Sequence, residues 1–300
     1  MCRLGFACRV LGESVFPKMR TCILKNASTE NLIKLTANNL FYLEKMVEYC
    51  AKNRIYLVRI SSDIIPFASH PEKEFNWRAI FQNRFESIGN LIQKTGVRVS
   101  MHPGQYTVLN ALKPSVVEQS LREITWHARF LDALNVDFTS KIILHIGGLY
   151  NDKAYAMERF VKHFQRLEDN VKFRIVLEND EKNYTIEDVI MLSSQLQIPV
   201  VFDVLHHQIN PPKDQKFSNV YWIGKARKTW DFIFDGSQKI HYSQQKLGGK
   251  KGAHSDTIDV DQFKLFYETI KLWDLDIMLE VKDKNLSVLK CMKVISSFVK

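Results

Sequence analysis

The chain has 300 residues, enough for one large α/β barrel or two ordinary domains. Hydrophobic residues make up 45% of it, with only 12 Gly and 8 Pro, which excludes disordered, low-complexity and fibrous classes. The formal charge of +9 suits plain solubility and attraction to DNA, RNA or an anionic membrane equally, and says nothing about fold.

Short apolar runs alternate with helical patterns from end to end. Residues 4–7 predict a first strand. Residues 29–53 predict a helix, with Leu32, Leu35, Leu40, Leu43 and Val47 at helical spacing. A strand over 56–60 is followed by a helix through Ile80, Phe81, Phe85, Ile88 and Leu91, which Gly96 ends. Strand 97–101, helix 116–134, strand 141–144 and helix 155–167 come next. Strand 174–177 leads to helix 186–196, and strand 200–202 follows Pro199. A less regular stretch contains Pro211, Pro212 and an aromatic helix over 221–230. Strand 239–240, helix 260–272, strand 277–279 and helix 286–298 complete the series. Eight strand–helix units of roughly 35–40 residues are the size of a (β/α)8 barrel. The strand runs are almost wholly apolar, as parallel strands covered on both faces are. An open doubly wound sheet would show the same local pattern, so spacing alone does not close the barrel. No Gly-rich nucleotide fingerprint follows the first strand, and no linker interrupts the chain. The expectation is therefore a single α/β domain over 1–300, a (β/α)8 TIM barrel with its active site at the C-terminal ends of the strands.

The residue after each strand carries the chemistry. Predicted strands run into His102, His145, Glu178, Asp203, His241 and Glu280, with His206 one turn beyond Asp203. His254 follows Gly248, Gly249 and Gly252 in a loop. One histidine at a strand end is an ordinary polar residue, and one carboxylate there is often a helix cap. Six such groups at the mouth of one barrel are different, because carboxylates held together need cations between them. Mixed imidazole and carboxylate donors suit Zn, Mn, Fe or Co better than Ca. The set is too large for one tetrahedral ion, so two or three ions with a bridging carboxylate fit better. Such clusters lower the pKa of a bound water and clamp phosphate oxygens. With a basic chain, a phosphodiester substrate follows, and a metal-dependent sugar isomerase is the alternative.

The five cysteines (Cys2, Cys8, Cys22, Cys50 and Cys291) form no CxxC pair, and the odd count suits a reducing compartment. No stretch is long and apolar enough to span a bilayer. Arg3 and Arg9 make the opening segment a poor signal peptide. A soluble, intracellular protein is expected, located wherever the genome is, with no membrane and no obligate protein partner.

Several segments together resemble the UV damage endonuclease family, itself related to the endonuclease IV barrel. They are LGF (4–6), IPFASHP (65–71), MHPGQY (101–106), LHIGG (144–148), LENDEK (177–182), FDVLHH (202–207), KIHYSQ (239–244), GAHSD (252–256) and LEVKDK (279–284). Each is weak alone, and the ordered set is specific. The resemblance implies that Glu178 bridges metals, with His102 and His145 on one ion. It implies Asp203, His241 and Glu280 on a second, and His206 and His254 on a third. His70 would line the same pocket as a further ligand, although as a lone residue it could equally cap a turn between Pro66 and Pro71. Glu178, Glu280 and Lys239 are the catalytic candidates, Lys239 as a phosphate or metal-shell contact two residues before His241. Gln105 and Tyr106 resemble the pair that probes DNA at a lesion. An aromatic plane can fill the gap left by extruded bases while an amide bonds the orphaned strand. Some relatives carry Tyr where this chain has Phe6, and Asn where it has Val10. Phe6 keeps the ring without the hydroxyl and is a DNA-binding candidate; Val10 is not.

The resemblance implies a DNA repair endonuclease acting on damaged double-stranded DNA. It would cut immediately 5′ to UV photoproducts and other distortions, abasic sites included, and leave a 3′-hydroxyl and a 5′-phosphate. Its cofactors would be two or three divalent ions, Mn2+ first and Zn2+ second. A general abasic-site endonuclease and a noncatalytic damage-binding protein stand as the other readings.

Overall fold

The computed structural model describes residues 2–213 and 217–298. Eight strands, β1 (Arg3–Ala7), β2 (Leu57–Ile60), β3 (Arg98–Met101), β4 (Ile142–Leu144), β5 (Ile175–Glu178), β6 (Val200–Asp203), β7 (Lys239–Tyr242) and β8 (Asp276–Leu279), follow chain order around a closed barrel. The intervening helices are α1 (Thr29–Lys52), α2 (Trp77–Ile80), α3 (Gln82–Thr95), α4 (Pro114–Ala133), α5 (Lys153–Phe164), α6 (Asp169–Lys172), α7 (Ile186–Leu196), α8 (Val204–Ile209), α9 (Asn219–Arg227), α10 (Val260–Ile270) and α11 (Asn285–Ser297). This is the (β/α)8 TIM barrel that strand spacing suggested, and closure disposes of the doubly wound alternative. No described helix is long and apolar enough to cross a membrane. All five cysteines are free thiols.

The chain divides into two compact units. One comprises the chain to Gly12 and from Ile175 onward; the other is Glu13–Arg174. In the first, β1 pairs with β8, and β5 to β8 pair in sequence, all parallel. The register sets Asp203 directly beside His241. In the second, β2 pairs with β3 over four residues, and β3 meets β4 at Met101 and Ile142.

Local chemistry explains the element ends. Ser28 caps α1 by accepting the Asn31 N–H, and Thr185 with Asp188 forms a capping box on α7. Gly96 closes α3 in the left-handed region at φ 67°, where a Cβ would be strained. The short helices α2, α6 and α8 escape sequence reading because four to six residues show no period.

The strands are less purely apolar than expected. Arg3, Arg59, Arg98 and Lys239 lie within them, and the ones whose bonds are seen are satisfied. Arg3 makes two bonds to Asp276 at 2.6 and 2.9 Å, joining β1 to β8. Arg98 Nε donates to the Thr139 carbonyl at 2.9 Å. Just before β5, buried Arg174 bonds Asp132 and the carbonyls of Val136, Asp137 and Ser140. Burial of a charge is tolerable when every donor is used.

Candidate metal centre

Glu178 is the last residue of β5, Asp203 the last of β6, and Glu280 follows β8; all three sit where a strand stops, and Glu178 and Asp203 are buried there. His241 is internal to β7. Asp203 doubles as the N-cap of α8, accepting the His206 N–H at 2.7 Å, so one carboxylate both starts the helix and aims the imidazole.

The groups meet. His241 Nδ1 lies 2.6 Å from Glu178 Oε1 and 3.2 Å from Glu280 Oε1. His206 Nδ1 lies 3.7 Å from Asp203 Oδ1 and 3.9 Å from Glu178 Oε1. Ligand atoms of Glu178, Asp203 and His206 come within 4.8 Å of one another, and so do those of Asp203, His241 and Glu280. His254 stands beside His206, with ring centroids 6.1 Å apart.

The donor set fits divalent cations. Asp203 Oδ2 and His241 Nε2 are buried with no hydrogen-bond partner, an arrangement that costs about 1–3 kcal/mol per neutral group and more for a charge. A cation removes that cost. Burial pushes the Asp203 carboxyl up, and the neighbouring Glu178 and Glu280 carboxylates push the same way against His206. Burial alone would lower the His206 value, but Asp203, Glu178, the Asn179 carbonyl and Glu280 outweigh it and hold it at about 9. These are the signs of carboxylates gathered around missing positive charge.

Backbone carbonyls fix the ring orientations. His206 Nδ1 donates to the Asn179 carbonyl at 2.9 Å, and His254 Nδ1 donates to the Glu280 carbonyl at 2.6 Å. With Nδ1 engaged, a ligand role in either ring would fall to Nε2. His206 Nε2 is 3.9 Å from Glu181 Oε2.

Sequence reading missed Asn179. It is fully buried. Its Oδ1 accepts the Asp203 N–H at 2.9 Å and its Nδ2 donates to the Asp203 carbonyl at 3.0 Å. The side chain thus acts as one rung of sheet beyond the end of β5. Three other buried asparagines do the same to single residues: Asn39 to Arg20, Asn110 to Gly148 and Asn285 to Leu11. Only the pairing of a fully buried Asn with a loop backbone reveals the device, and sequence carries no such mark.

In the unit Glu13–Arg174, His102 and His145 follow β3 and β4 with ring centroids 5.2 Å apart. Ser62 Oγ bonds the His102 carbonyl at 2.7 Å. Asn110 grips Gly148 and leaves no room at Gly147, where a Cβ would meet Asn110 Oδ1 at 2.5 Å. Gln105 and Tyr106 are exposed in a turn after β3. The Tyr106 ring lies over Gly104, and its hydroxyl points at Glu123 Oε1, 3.4 Å away. Burial and the Glu123 carboxylate push the Tyr106 hydroxyl up to about 12, so it stays protonated. Ser69 donates to the other Glu123 oxygen, tying the His70 loop to the same carboxylate. Tyr106, His70, Arg122, Glu123 and Trp126 line one cavity of about 540 Å³.

Two expectations change. His70 lies in that cavity, not in any ligand group formed by the described residues: its Nδ1 accepts the Glu72 N–H at 3.2 Å, the turn-capping role open to it from its proline-flanked position. Phe6 is fully buried in β1 and belongs to the core, so it offers no ring to DNA. Lys239 is fully buried in β7, two residues before His241.

Fold and donor set define the class: a (β/α)8-barrel protein whose strand ends carry imidazoles and carboxylates suited to divalent ions. The comparisons make it specific. The family described as UV-endonuclease UvdE matches residues 2–300. A UV DNA damage endonuclease of Clostridium perfringens is 44% identical over 289 residues, covering 96% of this chain and 69% of that protein. The crystal structure of SacUVDE aligns at 36% identity with a TM-score of 0.93, covering 100% of both chains. Endonuclease IV from Thermus thermophilus shares the fold alone, at 12% identity and TM-score 0.59 over 86% of this chain and 94% of its own. The chain belongs to the UV-endonuclease UvdE family.

Proposed function

We propose that this protein is a DNA repair endonuclease that hydrolyses the phosphodiester immediately 5′ to a UV photoproduct or another helix-distorting lesion, abasic sites among them. It leaves a 3′-hydroxyl and a 5′-phosphate. Family membership makes it a nuclease acting on DNA. The observation that carries the reading is the buried, unpartnered Asp203 Oδ2 and His241 Nε2 among three carboxylates.

Two or three divalent ions, Mn2+ first and Zn2+ second, would supply charge against the nonbridging phosphate oxygens and a water acidic enough to attack phosphorus. Glu178 would be shared between ions, since it meets Asp203 and His206 and also contacts His241. Asp203, His241 and Glu280 would hold one ion. His206 and His254 would hold another through Nε2, since their Nδ1 atoms bond backbone carbonyls. His102 and His145 would hold a third, as the family resemblance implies. Lys239, buried below His241, offsets the carboxylate charge.

Gln105 and Tyr106 select the substrate. Tyr106 enters the stack where a lesion has weakened it, and Gln105 bonds the strand left unpaired. Extrusion costs a few kcal/mol in intact duplex and less at damage, so the choice is by shape and not by sequence. The partner is damaged double-stranded DNA.

The test incubates irradiated and unirradiated duplexes with the purified protein and Mn2+. The expected product is a lesion-dependent nick whose 3′-hydroxyl primes a polymerase. A duplex left intact after irradiation would overturn the proposal, and an abasic duplex in the same assay separates a photoproduct enzyme from a general abasic-site one.

A further inference from the structure

The segment between β7 and α10 is built as an arm. Gln245 and His254 pair in an antiparallel bridge, and the Lys246 N–H donates to the Ala253 carbonyl at 2.7 Å. Inside it, the Gly249 N–H bonds the Lys246 carbonyl at 3.0 Å and the Ala253 N–H bonds the Lys250 carbonyl at 2.9 Å. The Gln245 side chain fastens three further points: Nε2 donates to the carbonyls of Lys246 at 3.2 Å and Lys250 at 2.9 Å, and Oε1 accepts the Gly252 N–H at 2.8 Å. A tip tied this often is a rigid turn.

Its base is fastened to the metal centre. His254 donates to the Glu280 carbonyl, the Lys282 N–H bonds the Ser255 carbonyl at 3.2 Å, and the Asp283 N–H bonds the Asp256 carbonyl at 2.9 Å. Gly252, at φ 87°, packs on Glu181, whose Cγ would lie 3.0 Å from a Cβ there.

Its charge is unspent. Lys246 and Lys282 both pair with Asp256 at 2.8 Å, and together they pull that carboxyl down to about 2. Lys250 and Lys251 are exposed and pair with no carboxylate among the described residues. Leu247 at the tip is 98% exposed, so the arm is not stabilised by packing its end on the barrel. A rigid cationic arm anchored to phosphodiester-cleaving machinery complements a polyanionic backbone.

We propose that the 245–254 hairpin grips the phosphate backbone of duplex DNA, with Lys250 and Lys251 as two phosphate contacts, and so holds the strand over Glu280 and His254. The inference rests on the nuclease reading above.

Each phosphate neutralised adds about 0.9 to the slope of log affinity against log salt. The test measures duplex binding by fluorescence anisotropy across salt, using the metal-loaded protein and a Lys250→Ala/Lys251→Ala double variant. The expected slope falls by about 1.8, and Kd at 0.15 M salt rises about 30-fold on irradiated and unirradiated DNA alike. A Lys52→Ala/Lys94→Ala variant loses the same net charge from the ends of α1 and α3 and keeps the parental slope. An unchanged slope in the first variant, or an equal fall in the second, overturns the proposal. Absence of any duplex binding by the unaltered protein would instead sink the nuclease reading itself.

Discussion

Asn179→Ala leaves the Asp203 N–H and carbonyl without partners in a fully buried position and deprives no ligand of its own donor atoms. Two orphaned backbone groups at about 1–3 kcal/mol each put the loss of stability near 3–4 kcal/mol. At about 2.1 cal/mol/K per residue, a chain of 300 residues then loses roughly 5–6 °C of melting midpoint. The second effect is on metal. Without its clamp Asp203 moves, and with it the turn that aims His206, so affinity for the ion they share falls about 10–100-fold, in the range of outer ligand-orienting groups. The two effects separate through Asn39→Ala, which removes a like clamp from Arg20 together with bonds to the Asp63 and Ile64 carbonyls. Both variants should melt earlier by similar amounts, and only Asn179→Ala should bind Mn2+ more weakly by calorimetric titration. Excess Mn2+ should restore its incision. Equal Mn2+ affinity in Asn179→Ala and the parent, or equal weakening in both variants, refutes the reasoning.

Glu178→Gln keeps the shape but removes the shared charge; it should abolish nicking while gel-shift affinity for irradiated duplex is retained, and measurable nicking would remove Glu178 from the centre. Gly104→Ala places a Cβ 2.3 Å from the Tyr106 ring and must displace it. It should therefore lower the ratio of incision on irradiated to intact duplex as Tyr106→Ala does, with the melting midpoint within a few degrees of the parent. The His206 value is raised to about 9, above its ordinary 6.5. Its proton therefore stabilises the metal-free fold fully below about 6.5, and that contribution is lost as pH rises through 9. A cation must displace this proton, so Mn2+ affinity should rise with pH up to about 9 and titrations near pH 7.5 in buffers of different ionisation enthalpy should report proton release. Chelation should lower the melting midpoint, because Glu178, Asp203 and Glu280 then face one another without cations; a midpoint insensitive to chelator would show that the carboxylates need no ion.

Much of this protein is local information. Apolar runs separated by 3.6-period segments predicted all eight strands within about one to three residues, because burial on both faces of a parallel strand demands apolar residues whatever the neighbours are. His102, His145, Glu178, Asp203, His241 and Glu280 were legible because each stands where an apolar run stops, which is where a barrel strand delivers its chemistry. Other properties belong to the tertiary structure. Whether eight strands close or splay depends on pairing between residues far apart in the chain. His70 and Phe6 sit in motifs like any site residue, yet one caps a turn and the other fills the core, since burial is decided by what packs against a residue. Asn179 and the Gln245 staple gain their roles from backbone atoms 24 residues away or across a hairpin. A hydrogen bond at that separation leaves no period and no composition in the sequence, so only the folded chain reveals it.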